Sequence, residues 1–398
     1  MTKLAERTKG IKPSVTLAIA AKAGKLRSEG IDVVNFSAGE PDFDTPEHIK
    51  AAAVEALRKG MTKYTDVKGI EPLREAITQK YQREHGLVYR KDDVLVSCGA
   101  KHSLYNIFQA VIGPGDEVVI PAPYWVSYSD MALLAGGVPK LISTNEATGF
   151  RMKPEQLEAA LTPRTRVVVL NSPCNPTGAS YHRDELLAIA RVLEEHDCLI
   201  VSDDIYEKII YDNSQVHNLV ALNPSLRERT VIINGVSKTY AMTGWRIGYA
   251  IGPADVISAA AKIQSQSTSN ATSIAQAAAL EAIRGSQDEV PIMVREFQQR
   301  RDVIVDRLNA VEGIRCLKPQ GAFYVFPNIA PLLSKTGNGK KLGSPCDVAD
   351  YLLEEAKVAV VPGEDFGSQQ HIRFSYATSL EDIEKGCKRI HAAVKKLN

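Results

Sequence analysis

From about residue 92 to 250 the chain alternates short β-branched runs with stretches of helical spacing, and this alternation constrains the fold more than any other feature. Val94–Ser97, Glu117–Ile120, Arg166–Leu170, Cys198–Val201 and Val231–Ile233, which opens an apolar run to Val236, read as strands. Between them, Lys101–Val111, Glu155–Leu161 and Arg183–His196 carry apolar residues on one helical face. Strands that are apolar at successive positions are buried on both sides. Separated by helices, they predict a mostly parallel sheet covered on both faces, an α/β fold. Gly113-Pro114-Gly115-Asp116 and Asn175-Pro176-Thr177-Gly178 are turn signals between these units.

After residue 250 the pattern changes. Helices over Ala254–Ser265 and around Glu296–Leu308 lead to strands near Ala322–Val325, Val358–Val361 and Ile372–Ser375. Helices at Val348–Ala356 and Leu380–Lys396 complete an α+β mixture, which predicts a second, smaller domain. The expected division is 1–45 as an N-terminal segment joining the small domain, 46–290 as the large domain and 291–398 as the small one. Gly337-Asn338-Gly339-Lys340-Lys341 is expected to be an exposed loop; its spacing is not that of a phosphate loop.

Basic and acidic residues number 48 and 47, giving a net charge of +1. That balance offers no electrostatic reason to bind nucleic acid or an anionic membrane. No stretch approaches the ~18 apolar residues of a membrane span. The run Leu17–Ala21 is too short, and too closely flanked by lysines, for a signal peptide. The six cysteines are scattered without zinc-site spacing, which argues for reduced thiols in a cytoplasmic protein and for no metal centre.

The chemistry concentrates in Ser237-Lys238-Thr239-Tyr240-Ala241-Met242-Thr243-Gly244-Trp245-Arg246-Ile247-Gly248-Tyr249. A lysine at the end of a buried strand loses its proton more easily than a surface lysine. A neutral amine attacks a carbonyl, and an arginine beside it clamps a phosphate. Cys98-Gly99-Ala100-Lys101 opens a helix whose N–H groups suit a phosphate, although ordinary packing uses such turns as well. Asp203, after the Cys198–Val201 strand, suits a pyridinium nitrogen; a helix cap or a solvated acidic pair would also place an aspartate there. Arg373, within an apolar strand, requires an anionic partner.

The pattern S-K-x-x-x-M-x-G-W-R-x-G resembles the cofactor-lysine segment of class I aminotransferases, PLP-dependent transferases of fold type I. Ala38–Phe43, Pro123-Tyr124-Trp125, Asn171–Gly178, Ser202–Tyr206 and Arg373–Tyr376 resemble further segments of that family, in order and over nearly the whole chain. The resemblance implies pyridoxal 5′-phosphate (PLP) as cofactor and Lys238 as the lysine that bonds it and shuttles the α-proton. It implies that Asp203 pairs with the pyridine nitrogen, Tyr206 and Asn175 hydrogen-bond the ring oxygen, and Trp125 stacks on the ring. Ser237, Arg246 and the Gly99-Ala100 backbone would hold the phosphate. Tyr64 would reach the phosphate of the neighbouring subunit, which implies a homodimer with shared active sites. Arg373 would bind the substrate α-carboxylate, with Asn175 and the Gly39 backbone beside it.

Within the family the chain most resembles the aspartate aminotransferases of subgroup 1β, some of which accept prephenate. Lys101 would then read the distal carboxylate and Lys12 would assist prephenate. A solvated Lys101, a surface Lys12 and helix capping by Ser14 are the plain structural alternatives. Small amino acids and 2-oxo acids are the expected partners. An aromatic- or alanine-type aminotransferase, a β-lyase or a cyclopropane-forming synthase on the same fold stands as the alternative.

Overall fold

The computed structural model describes residues 2, 4–11 and 15–398, with residues 15–17 as backbone alone. Its centre is a seven-stranded sheet of β1 (Val94–Ser97), β2 (Glu117–Ala122), β3 (Val138–Ser143), β4 (Thr165–Asn171), β5 (Leu199–Asp203), β6 (Thr230–Gly235) and β7 (Gly248–Ile251). The spatial order is β1-β7-β6-β5-β4-β2-β3. Strand β7 is antiparallel to both neighbours and the other pairings are parallel, so six strands run the same way.

Alternate side chains of these strands serve opposite faces. Val118, Ile120, Val167, Val169, Val231 and Ile233 pack against Leu104, Ile107 and Phe108 of the helix Ala100–Val111. Val119, Val168, Leu170 and Ile200 pack under Leu157, Leu186, Ile189 and Leu193 on the other side. Each fully buried aliphatic residue contributes roughly 1.5–3 kcal/mol. That two-sided burial is why the strands read as apolar at every position.

Two strands of this sheet were not predicted. β3 lies at the sheet edge, where Val138 and Leu141 reach solvent and Pro139 and Lys140 interrupt the apolar run. β7 is the short return inside the Gly244–Tyr249 motif. The predicted second strand extends to Ala122, and the fourth extends to Asp203, which places that acid in the strand itself.

In the C-terminal third, Val361–Pro362, Ile372–Ser375 and Tyr324–Val325 form a three-stranded antiparallel sheet. The predicted strand Val358–Val361 divides: Val358–Ala359 pairs in parallel with Val34–Asn35 of the N-terminal segment, and Val361 joins the three-stranded sheet. Ala322 is not in a strand. Its φ of 56° is left-handed, held by its N–H donating to the Ile209 carbonyl and its own carbonyl accepting from Tyr211 and Tyr376. The predicted helix Val348–Ala356 is α-helical over Pro345–Tyr351 and a π-turn over Leu352–Ala356. The expected loop at Gly337–Lys341 is a hairpin, Thr336–Gly337 against Lys340–Lys341, with Asn338 and Gly339 at positive φ as its turn requires. The 21-residue helix Glu289–Asn309 packs Ile304 and Leu308 into the same core as Ile383 and Ile390 of the C-terminal helix. Among the described residues no helix is long and apolar enough to cross a membrane.

Candidate active site

Six strands end on the edge where β7 begins, so their C-terminal loops converge there. Gly99 follows β1, Trp125 follows β2, Asn175 follows β4, Asp203 ends β5, Lys238 follows β6 and Arg246 precedes β7. Ligands of open α/β sheets bind outside this edge.

Lys238 is half-buried, and its Nζ donates to the Gly39 carbonyl at 2.5 Å. Burial brings its pKa down to about 8, with Arg373 and Arg246 assisting and Glu40 opposing. Asp203 is buried, and its Oδ2 accepts from the Tyr128 hydroxyl at 2.6 Å. Burial raises its pKa to about 6 against the lowering effect of Tyr128, the Ile205 N–H and Lys238. The adjacent Asp204 turns elsewhere. It accepts from Ser202 Oγ at 2.7 Å and Asn218 Nδ2 at 2.9 Å, and burial together with the Glu207 charge pushes its pKa up.

At the other end, Ala100 and Lys101 begin the helix Ala100–Val111, so their N–H groups have no acceptor within it. Gly99 has a φ of +89°, and a Cβ there would lie 2.5 Å from Arg246 Nη2. A Cβ on Gly248 would meet the Ala100 nitrogen. The exposed Arg246 guanidinium donates to two backbone carbonyls, Thr243 at 2.7 Å and Cys98 at 3.4 Å. A helix start, an arginine with no acid partner among the described residues and glycines that admit close approach make an anion cradle. Ser237 is buried beside Lys238.

Arg373 is 2% exposed. Its Nη1 donates to Asn175 Oδ1 at 3.1 Å and its Nη2 to the Ser37 carbonyl at 2.9 Å, while Nε has no partner among the described residues. The guanidinium lies over the Tyr324 and Phe366 rings, and burial lowers its pKa. Tyr206 and Tyr324 share a hydroxyl contact of 2.9 Å. Trp125 is half-buried, meets Tyr128 edge-on at 5.3 Å, and has Lys101 Nζ 4.8 Å above its ring. Partial loss of solvent, then Arg246, lowers the Lys101 pKa.

The structure thus gathers Gly39, Gly99, Ala100, Lys101, Trp125, Asn175, Asp203, Tyr206, Ser237, Lys238, Arg246 and Arg373 around one cleft. Tyr64 stands apart at 90% exposure, and Lys12 lies outside the described residues. Sequence reasoning assigned nothing to Tyr128, Tyr324, Asn171 or Glu40. Asn171 accepts from the Asn175 N–H and donates to the Asp203 carbonyl, tying two site loops. Glu40 accepts from Thr243 Oγ1 at 2.7 Å. Tyr128 was findable as one helical turn beyond Trp125. Tyr324 reaches Arg373 only through strand pairing and has no local signal.

Residues 31–390 match the family described as aminotransferase class I and II. The chain is 49% identical to an aspartate aminotransferase of Geobacillus stearothermophilus and 50% identical to an aspartate/prephenate aminotransferase of Cereibacter sphaeroides, over 98% of each chain in both cases. The solved aspartate aminotransferase of Rhizobium meliloti is 47% identical, with a TM-score of 0.96 and 100% of both chains covered. The Thermus thermophilus enzyme solved with maleate is 44% identical, with a TM-score of 0.93 over 99% of this chain and 100% of that one. With the lysine, the aspartate, the anion cradle and the buried arginine on one sheet edge, and relatives this similar along their full length, the chain belongs to the class I and II aminotransferases.

Proposed function

We propose that this protein uses pyridoxal 5′-phosphate to move the amino group of aspartate to 2-oxoglutarate, with prephenate as a further acceptor. Arg373 is the observation that carries the reading. Among the described residues this buried guanidinium has two neutral partners and a free Nε, and a charged donor left without an acceptor costs about 1–3 kcal/mol. A carboxylate arriving bidentately removes that cost, and every amino acid and 2-oxo acid brings one. The second carboxylate of aspartate falls to Lys101. A Thermus thermophilus relative solved with maleate, a dicarboxylate, supports this arrangement. Relatives named for both aspartate and prephenate support the second acceptor, with Lys12 assisting it.

When bound, the cofactor supplies a carbonyl that condenses with amines and a protonated ring that withdraws electrons from the substrate Cα. The cradle of Gly99, Ala100, Ser237 and Arg246 fits its phosphate, and the buried Asp203 fits its ring nitrogen. The lowered pKa of Lys238 provides neutral amine near neutral pH, and the Gly39 carbonyl aims its Nζ. Lys238 then takes and returns the α-proton. Asp203 would keep a negative charge beside the ring nitrogen, Trp125 would stack on the ring, and Asn175 and Tyr206 would hydrogen-bond the ring oxygen.

The same reading makes 46–290 the cofactor domain and joins 1–45 to the small domain of 291–398. It makes Tyr64 a contributor to the partner's site in a homodimer. The six unpaired cysteines support a cytoplasmic location. The test is a half-reaction panel in which protein loaded with cofactor meets single amino acids and conversion to the pyridoxamine form is followed by absorbance. Aspartate and glutamate should convert it fastest. Faster conversion by alanine or phenylalanine, or release of ammonia, would point to another activity on this fold.

A further inference from the structure

We propose that Tyr128 is a positioning residue of this enzyme, fixing the charge and the orientation of Asp203 while bracing Trp125. Two independent contacts meet on one side chain. The Tyr128 hydroxyl donates to Asp203 Oδ2 at 2.6 Å, and the Tyr128 ring meets the Trp125 ring edge-on at 5.3 Å and 84°. Tyr128 is 2% exposed and Asp203 is 3% exposed, so that hydrogen bond is sheltered from bulk solvent. Tyr128 lies in the helix Ser127–Leu134, one turn beyond Trp125, and Asp203 ends β5. The hydroxyl therefore ties the loop after β2 to the end of β5.

The electrostatic consequence follows from the company Asp203 keeps. Burial favours its neutral form. The Tyr128 hydroxyl, the Ile205 N–H at 3.3 Å and the Lys238 ammonium favour the carboxylate. The other titratable groups on this side are the Tyr206 hydroxyl, which is engaged with Tyr324, and the Cys174 thiol. Among the described residues, Tyr128 is the side chain that hydrogen-bonds the Asp203 carboxylate, and it does so whether or not the cofactor is bound to Lys238. Its bond also selects one carboxylate orientation and leaves Oδ1 to the Ile205 N–H.

The inference rests on the reading of Asp203 as the ring-nitrogen partner, and the experiment separates the two. Tyr128→Phe removes the hydroxyl and keeps the ring, so circular dichroism and Trp125 fluorescence should match wild type. In cofactor-free protein, carboxyl ¹³C NMR, with the Asp203 signal identified by its loss in Asp203→Asn, should show Asp203 titrating at least one pH unit higher in Tyr128→Phe. In the loaded enzyme kcat should fall about tenfold while KM for aspartate stays within about threefold. In an Asp203→Asn background the same change should have no further effect on kcat. An unshifted Asp203 titration in folded Tyr128→Phe, or additive losses in the double variant, would overturn the proposal. A ring ¹⁵N signal unchanged by Asp203→Asn would instead remove Asp203 from the cofactor and leave the Tyr128–Asp203 tie standing.

Discussion

Arg373 and Asn175 stand 198 positions apart in sequence and are joined by a 3.1 Å hydrogen bond from Nη1 to Oδ1. One belongs to the three-stranded sheet and the other to the loop after β4, so the guanidinium is oriented by both parts of the chain. The Ser37 carbonyl adds a third point of attachment from the N-terminal segment.

Arg373→Lys keeps the charge and loses the planar fork. KM should rise about ten- to a hundredfold for aspartate, glutamate and 2-oxoglutarate together, the scale of one or two charged hydrogen bonds. Steady-state kinetics with each substrate will show it. A variant impaired with aspartate alone would place Arg373 at the distal carboxylate.

Lys238 should capture cofactor faster as pH rises toward about 8, because its amine becomes neutral over that range, and then level off. Stopped-flow absorbance of cofactor-free protein mixed with PLP reads this directly. Borohydride reduction followed by peptide mapping should find the adduct on Lys238. An adduct on another lysine would end the assignment.

Asp203 and Asp204 should separate on substitution. Asp203→Asn should cost about 3 kcal/mol or more of transition-state stabilisation, and Asp204→Asn should retain most activity. Asp203→Asn should also change stability with a definite sign. The folded-state pKa of Asp203 is about 6 against an ordinary 3.8, so the folded state binds the extra proton. Wild-type stability therefore falls as pH rises from about 4 to about 6, a contribution of roughly 3 kcal/mol. In cofactor-free protein the variant should lose that slope. Identical melting profiles for the two proteins across pH 4 to 7 would contradict this.

Lys101→Ala should lose about ten- to a hundredfold in efficiency with aspartate and little with alanine, as expected when one charged partner of a carboxylate is removed. Lys12→Ala should weaken prephenate selectively. An unchanged aspartate-to-alanine preference would assign the acidic specificity to another residue.

Tyr64 should act across the proposed homodimer. Mixed dimers of Tyr64→Ala and Lys238→Ala chains place an intact Lys238 opposite an intact Tyr64 in one of two sites. Activity and PLP affinity at that site should then recover to wild-type values. A mixed dimer no better than the Tyr64→Ala homodimer would confine Tyr64 to its own chain or to the surface.

The sequence by itself determined the parallel core of the sheet and pointed to the residues at its edge. Strands such as Val167–Leu170 are apolar at successive positions because both faces are covered, and that signal survives in one dimension. The Lys238–Gly248 segment is equally local, since its amine, turn and arginine lie within a dozen residues and the proposed cofactor roles need all three. Tertiary structure decided what depends on which way a side chain faces. The spacing to Tyr206 singles out Asp203, but only the fold shows what each acid meets: Asp203 turns to Tyr128 and Lys238, and Asp204 to Asn218 and Glu207. The edge strand β3 left a weak trace because half of its residues meet water. Ala322 broke a predicted strand because the contacts that hold its left-handed backbone come from Ile209, Tyr211 and Tyr376. Pairing of Tyr324 with the strand of Arg373 brought a ring under the guanidinium, and no spacing along the chain encodes that contact.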